Sequence, residues 1–111
     1  LAHEEDILQD YSPMRQKVSE LFIERMNNKG ANQEIIDKGL SIWNHYSKKI
    51  KPLNTKAESI AAALEYWVHK SYLQHSPVSQ SQLAKEYNIS ASTISANYKK
   101  LINTIDESFM D

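Results

Sequence analysis

Residues 78–101 read VSQSQLAKEYNISASTISANYKKL, and this stretch decides the fold. Leu83 and Ala84 form an apolar pair on one short helix. Asn88 stands where the chain must turn through a left-handed conformation, which Asn tolerates better than most residues. Ile89 follows, then Ser90 as a cap, and Ile94 falls on the inner face of a second helix. The spacing from Ala84 to Asn88 to Ile94 fits a tight three-residue turn between two packed helices, the grammar of a helix-turn-helix. Such a unit offers its second helix to a partner, most often a DNA groove.

Working outward, Ser79 and Gln82 have capping-box spacing for the first of these helices. Before it, residues from about 56 to 73 form a helix of a different kind. Ile60, Ala61, Ala62, Ala63, Leu64, Tyr66, Trp67 and Val68 leave almost no polar side, so it is expected to be buried at the centre of the domain. Thr55 and Glu58 are spaced as a capping box at its start. Upstream, Ile36, Leu40, Trp43, Tyr46 and Ile50 share one helix face, with Asn32 as cap and Pro52 as stop. Met14, Val18, Leu21 and Phe22 form an amphipathic stripe opened by Ser12-Pro13 and closed by Gly30. Residues 1–11 are an acidic lead-in with room for one further short helix. The second helix of the turn motif runs from about Ala91 to Asp106, with Ile94, Tyr98, Leu101 and Ile105 on one stripe.

The fold expected is all-α, five to six helices around a buried central helix, ending in a helix-turn-helix at about 79–106. The 111 residues make one helical domain, with the lead-in at 1–11, a helical bundle at 12–73 and the turn motif at 78–106. A start at Leu rather than Met reads as a fragment of a longer protein.

Residues 56–104 resemble the later three helices of a cyclin-box repeat, as found in archaeal and eukaryotic transcription factor IIB. The matching residues are Ile60 to Leu64, Ser79-Gln80, Leu83-Ala84, Ile89-Ser90, Thr93-Ile94 and Tyr98-Lys99 with Leu101. The resemblance implies a cyclin-box-like core and a non-catalytic, transcription-related regulatory role. Repeats of that family often carry two arginines on the last helix where Ser95 and Asn97 stand here, and the family adds a second repeat and a zinc ribbon. General transcription-factor activity is therefore not carried over. A similar tail occurs in uncharacterised bacterial proteins.

If the motif meets DNA, geometry names the residues. With Ile94, Tyr98 and Leu101 inward, Ser92, Ala96, Lys99 and Asn103 lie outermost, flanked by Ser95 and Lys100. Ser90, Ala91, Ser92 and Ser95, on the first turn, would face base edges. Ser79 and Gln80 begin the preceding helix, where free N–H groups favour a phosphate. Lys85, Lys99 and Lys100 supply charge. That charge is modest: three lysines give a salt slope of about 3, where strong binders approach ~10. The chain as a whole is near neutral, with 13 basic and 14 acidic side chains. A near-neutral charge suits a protein partner better than a polyanion, which is the alternative role, a protein-interaction scaffold without DNA contact. A dimer or a second domain of the same chain would raise the affinity for double-stranded DNA.

Apolar residues at 41% and charged ones at 24% are those of an ordinary globular protein. With no Cys, disulfides, thiolate zinc sites and cysteine nucleophiles are excluded. His3, His45, His69 and His75 show no metal-ligand spacing, and no cofactor is expected. Trp43, Trp67, Tyr66, Tyr72, Tyr87 and Tyr98 stand at core spacing and read as packing rather than a base-stacking platform. Glu4, Glu5, Asp6 and Asp10 read as a solvated first turn, and no catalytic motif appears, so an enzyme is not expected. No apolar run approaches the ~20 residues of a membrane span, and LAHEEDILQD has no signal-peptide pattern. A cytoplasmic location is the expectation.

Overall fold

Gly30 adopts φ +79°, a conformation open chiefly to glycine, and there the chain leaves its first helix and doubles back into its second. The computed structural model describes the backbone of residues 2–49 and 55–109 and the side chains of residues 13–49 and 55–105. Among these, the chain forms five α-helices: α1 (Ala2–Asn28), α2 (Gln33–Lys49), α3 (Ala57–Tyr72), α4 (Gln80–Tyr87) and α5 (Ala91–Phe109). No strand occurs among the described residues, as the all-α reading expects.

α1 and α2 pack as an antiparallel hairpin. Asn32 caps α2 as expected, its side-chain oxygen accepting the Ile35 N–H at 3.0 Å. The two helices approach closely at Gly39, where an added Cβ would lie 2.6 Å from Cε2 of Phe22. Trp43 donates its indole N–H to the Arg15 carbonyl at 3.2 Å. Val18, Phe22 and Met26, spaced i, i+4 and i+8, are fully buried, while Met14 and Leu21 are only partly so. Ile50, expected on the α2 face, and Pro52, its expected stop, lie outside the described residues. So do the side chains of His3, Glu4, Glu5, Asp6, Asp10 and Ser12.

α3 is the axle of the fold and touches each of the other four helices. Ile60 through Leu64 and Val68 are buried, as their unbroken apolar run implies. Three alanines in that run let the neighbouring helices come close.

Two expected helix starts are corrected. Ser12-Pro13 does not open a helix: α1 runs unbroken from Ala2 through Pro13, so the acidic lead-in is its first turns rather than a separate element. Proline withholds one N–H from the ladder, and the helix continues on either side of it. The Thr55–Glu58 capping box is not formed either. The N-cap of α3 is Lys56, one residue later, and no side chain caps it.

Candidate nucleic-acid interface

The geometry of the turn motif follows from four residues. Ser79 is the N-cap of α4 in extended conformation, and its hydroxyl accepts the Gln82 N–H at 3.0 Å. Only half of the expected capping box forms, since the Gln82 amide donates to Glu86 at 3.2 Å instead of reaching back. α4 ends at Asn88, which sits in the left-handed region at φ 58° and ψ 48°. There the Asn88 N–H reaches the Lys85 carbonyl at 3.3 Å and the Ile89 N–H reaches the Ala84 carbonyl at 2.9 Å. This crossed pair is a Schellman closure, and it points the chain across α4 into α5. Ser90 caps α5 by accepting the Thr93 N–H at 3.1 Å.

Behind the turn, Leu83, Ala84, Ile94 and Leu101 are buried and hold the two helices on α3. Tyr98 is half-buried, its ring edge-on to Tyr66 with centroids 4.8 Å apart. Trp43 and Tyr87 are core residues as expected. Trp67 is only partly buried, and Tyr72, expected inside, is 41% exposed. It lies at the last turn of α3, past the cover of the bundle, where it packs edge-on against Trp67 and holds Lys38 over its ring.

The proposed DNA-facing residues separate into two groups. Ser92, Ala96, Lys99, Lys100 and Asn103 on α5 are exposed, together with Ser79 and Lys85. Gln80 and Ser95 are intermediate, and Ala91 packs partly against the core. The Ser90 hydroxyl is occupied locally: besides capping, it bonds the hydroxyls of Thr93 at 2.7 Å and Ser92 at 3.1 Å. Its acceptor capacity belongs to the helix start, so Ser90 acts as a cap before it acts as a reader.

Beneath the motif lies a polar clamp that the hydrophobic pattern conceals. Glu65 of α3 has no exposed surface, yet it receives four donors. Arg25 of α1 grips it with two nitrogens at 3.2 and 3.3 Å, and Tyr87 of α4 donates its hydroxyl at 2.7 Å. Lys29, in the turn just past α1, pairs with the same carboxylate. Arg25 also pairs with Glu86 of α4 and lies 4.8 Å from the Tyr87 ring centre. Two carboxylates thus face two cations, a balanced set. Burial raises the Tyr87 hydroxyl pKa, and the Glu65 charge raises it further. Burial alone would lower Arg25, but its bonds to Glu65 and Glu86 more than reverse this and hold the guanidinium charged. Burial likewise opposes ionisation of Glu86, but bonds from Arg25 and Gln82 win and lower its pKa.

The clamp has an electrostatic consequence for the motif. Glu86 adjoins Lys85 on α4, and its pairing with Arg25 offsets the negative charge closest in sequence to that lysine. A lone carboxylate inside an apolar run, with Arg25 and Lys29 four residues apart at the end of another helix and just past it, was the available signal.

With that geometry in place, likeness to known proteins takes on meaning. Residues 56–106 match the family model of the helix-turn-helix, Psq domain, a DNA-binding and non-catalytic type of domain. The matched span covers the unit α3–α4–α5. A helix-turn-helix therefore occupies the C-terminal half of the chain. Over 84 residues, 76% of this chain, the sequence is 39% identical to the uncharacterized protein YccF of Bacillus subtilis (strain 168). The aligned part spans 24% of the length of that relative. No solved structure matches the chain. Among the described residues, no helix is long and apolar enough to cross a membrane.

Proposed function

We propose that the chain is a DNA-binding regulatory module that presents α5 to double-stranded DNA. The observation that carries this reading is the α4–α5 turn itself. Asn88 and Ser90 fix the entry of α5, and the face it turns outward bears Ser92, Ala96, Lys99, Lys100 and Asn103 with no large apolar side chain. The Psq helix-turn-helix match over the same residues supports it. Lys99 and Lys100 contribute charge, Ser92 and Ser95 reach base edges, and Ser79 and Gln80 offer the start of α4 to a phosphate. On the outward face of α5, none of these side chains makes the bidentate base contacts of Arg, Asn or Gln except Asn103, far along the helix. Sequence discrimination by this unit alone is accordingly weak, and it works beside a second DNA-contacting element, in a dimer or in a longer chain. Such a role places the protein inside the cell. The central position of α3 supports a cyclin-box-like arrangement of the whole bundle.

Replacing both Lys99 and Lys100 with Glu tests the assigned surface. Gel shifts at about 50 mM salt should lose the complex, and the helical circular dichroism should stay unchanged, because both side chains are exposed. Undiminished binding by the double variant would remove α5 from the interface. The near balance of 13 basic and 14 acidic side chains favours one rival, a protein-interaction scaffold. That reading gains if the native protein binds no duplex at low salt yet captures a defined protein partner.

A further inference from the structure

A depression of about 380 Å³ lies beside the Asn88 turn. Thr55, Lys56 and Ser59 at the start of α3 form one side, and Ser90, Thr93 and Asn97 at the start of α5 form the other. Three observations converge there. Lys56 is the N-cap of α3 without a side-chain cap bond, and the first α3 N–H to find a helical carbonyl is that of Ser59, bonded to Lys56 at 3.1 Å. The N–H groups ahead of it are the unsatisfied donors of a helix start, at its positive end.

Second, Ser59 is only 4% exposed, lines the depression, and its hydroxyl has no hydrogen-bond partner among the described residues. A buried hydroxyl normally turns back onto its own helix, as Ser47 does onto the Asn44 carbonyl at 3.0 Å. The Ser59 oxygen instead stays open to the depression, where solvent or an anion can accept from its hydroxyl. Third, Lys56 is exposed and forms no salt bridge among the described residues. Glu58, on the same turn, does not line the depression.

We propose that this depression holds one phosphate of the DNA backbone, bound by the Lys56 ammonium, the Ser59 hydroxyl and the uncapped N–H groups of α3. The inference rests on the DNA-binding reading and adds a contact outside the turn motif proper. Ser90 and Thr93 tie the site to the beginning of α5, so a phosphate seated here flanks the groove that α5 enters. One lysine and one hydroxyl suit the single charge of a phosphodiester, whereas a free phosphate dianion calls for more cationic partners.

The test is fluorescence anisotropy of the full chain on labelled mixed-sequence duplexes, from about 50 to 200 mM salt. Lys56→Gln should lower the log–log salt slope by about 0.9 and weaken binding roughly tenfold at ~50 mM, equally on unrelated duplexes. Ser59→Ala should weaken binding several-fold and leave the slope unchanged. Both variants should melt like the native protein. Native binding that Lys56→Gln leaves intact in affinity and slope would overturn the site while sparing the α5 surface. A native protein that binds no duplex would sink the site and the DNA-binding reading together. Inorganic phosphate provides the last arm. Saturable shifts of the Ser59 and Lys56 amide resonances with phosphate, without any loss of DNA binding in Lys56→Gln, would mark a free-anion site and refute the DNA assignment.

Discussion

The two faces of α3 are held by opposite means. One face, with Ile60, Ala63 and Leu64, meets Trp43 and Tyr46 of α2 and Leu101 of α5 in a contact that is apolar except for Asn97 at its rim. The other turns Glu65 toward Arg25 of α1 and Tyr87 of α4, and His69 toward Lys29 just past α1 and Ser76 in the loop before α4. Apolar packing rewards volume and tolerates small slides of one helix on another. A carboxylate gripped by Arg25, Lys29 and Tyr87 does not, because a shift of one residue would strand its donors. The charged face thus sets how α1 and α4 sit against α3, while the dry face contributes burial alone.

The contrast is broken most severely on the dry face. Ala63 is 2% exposed and faces Trp43, Tyr46, Leu64 and Leu101, so Ala63→Asp buries a charge among apolar side chains or forces its protonation. A loss of about 4 kcal/mol or more is expected, enough to unfold a marginal domain at room temperature, read by circular dichroism and urea titration. A cooperative melt close to that of the native protein would show that α3 does not occupy the centre.

On the charged face the expected loss is smaller. Glu65→Ala frees Arg25 and Lys29, whose side chains keep 26% and 27% exposure and can turn toward water. About 3 kcal/mol should be lost, the low end for breaking a buried pair. A double variant, Glu65→Leu with Arg25→Met, should recover much of that loss, since apolar isosteres remove the desolvation of both charges. Equal losses in the single and double variants, measured by urea titration, would mean that Glu65 contributes by packing alone.

Those two faces also mark what can be read from residue order. The turn is legible because backbone geometry demands particular residue types: a left-handed residue at Asn88, a hydroxyl at Ser90, a glycine at Gly30. Burial of Ile60 to Leu64 is legible because apolar residues on every side leave nothing to face water. Glu65 is not, because the same run that announces burial treats a single carboxylate as noise. Its partners lie 40 residues upstream and 22 downstream, and only the packed structure brings them together. The depression at Ser59 is hidden for a related reason. Thr55 and Glu58 have the spacing of a capping box, and the pattern cannot show that Lys56 takes the cap position with its side chain idle. The outward face of α5 follows the helical wheel, and yet the wheel cannot tell a hydroxyl free to read a base from one, like that of Ser90, already committed to its own helix.

The subtlest expected effect lies where the charged face meets the loop before α4. His69 is 6% exposed, with Nδ1 2.8 Å from the Ser76 carbonyl and Nε2 3.1 Å from the Lys29 ammonium. A carbonyl only accepts, so Nδ1 carries the proton and Nε2 is left to accept from Lys29. The imidazole is therefore neutral. Burial lowers its pKa from the ordinary 6.5 and the Lys29 charge lowers it further, against the Ser76 bond and the more distant Glu65 and Glu86. A base whose folded pKa is depressed binds its proton more readily once unfolded. Its contribution to stability is then complete above the ordinary value of 6.5 and declines as pH falls below it. The melting temperature should drop between about pH 7.5 and pH 5.5. His69→Gln, which cannot titrate, should melt at lower temperature at pH 7.5 but with a flatter dependence across that window. Parallel pH profiles for the two proteins would place the acid sensitivity elsewhere and leave His69 only a loop-fastening role through Ser76.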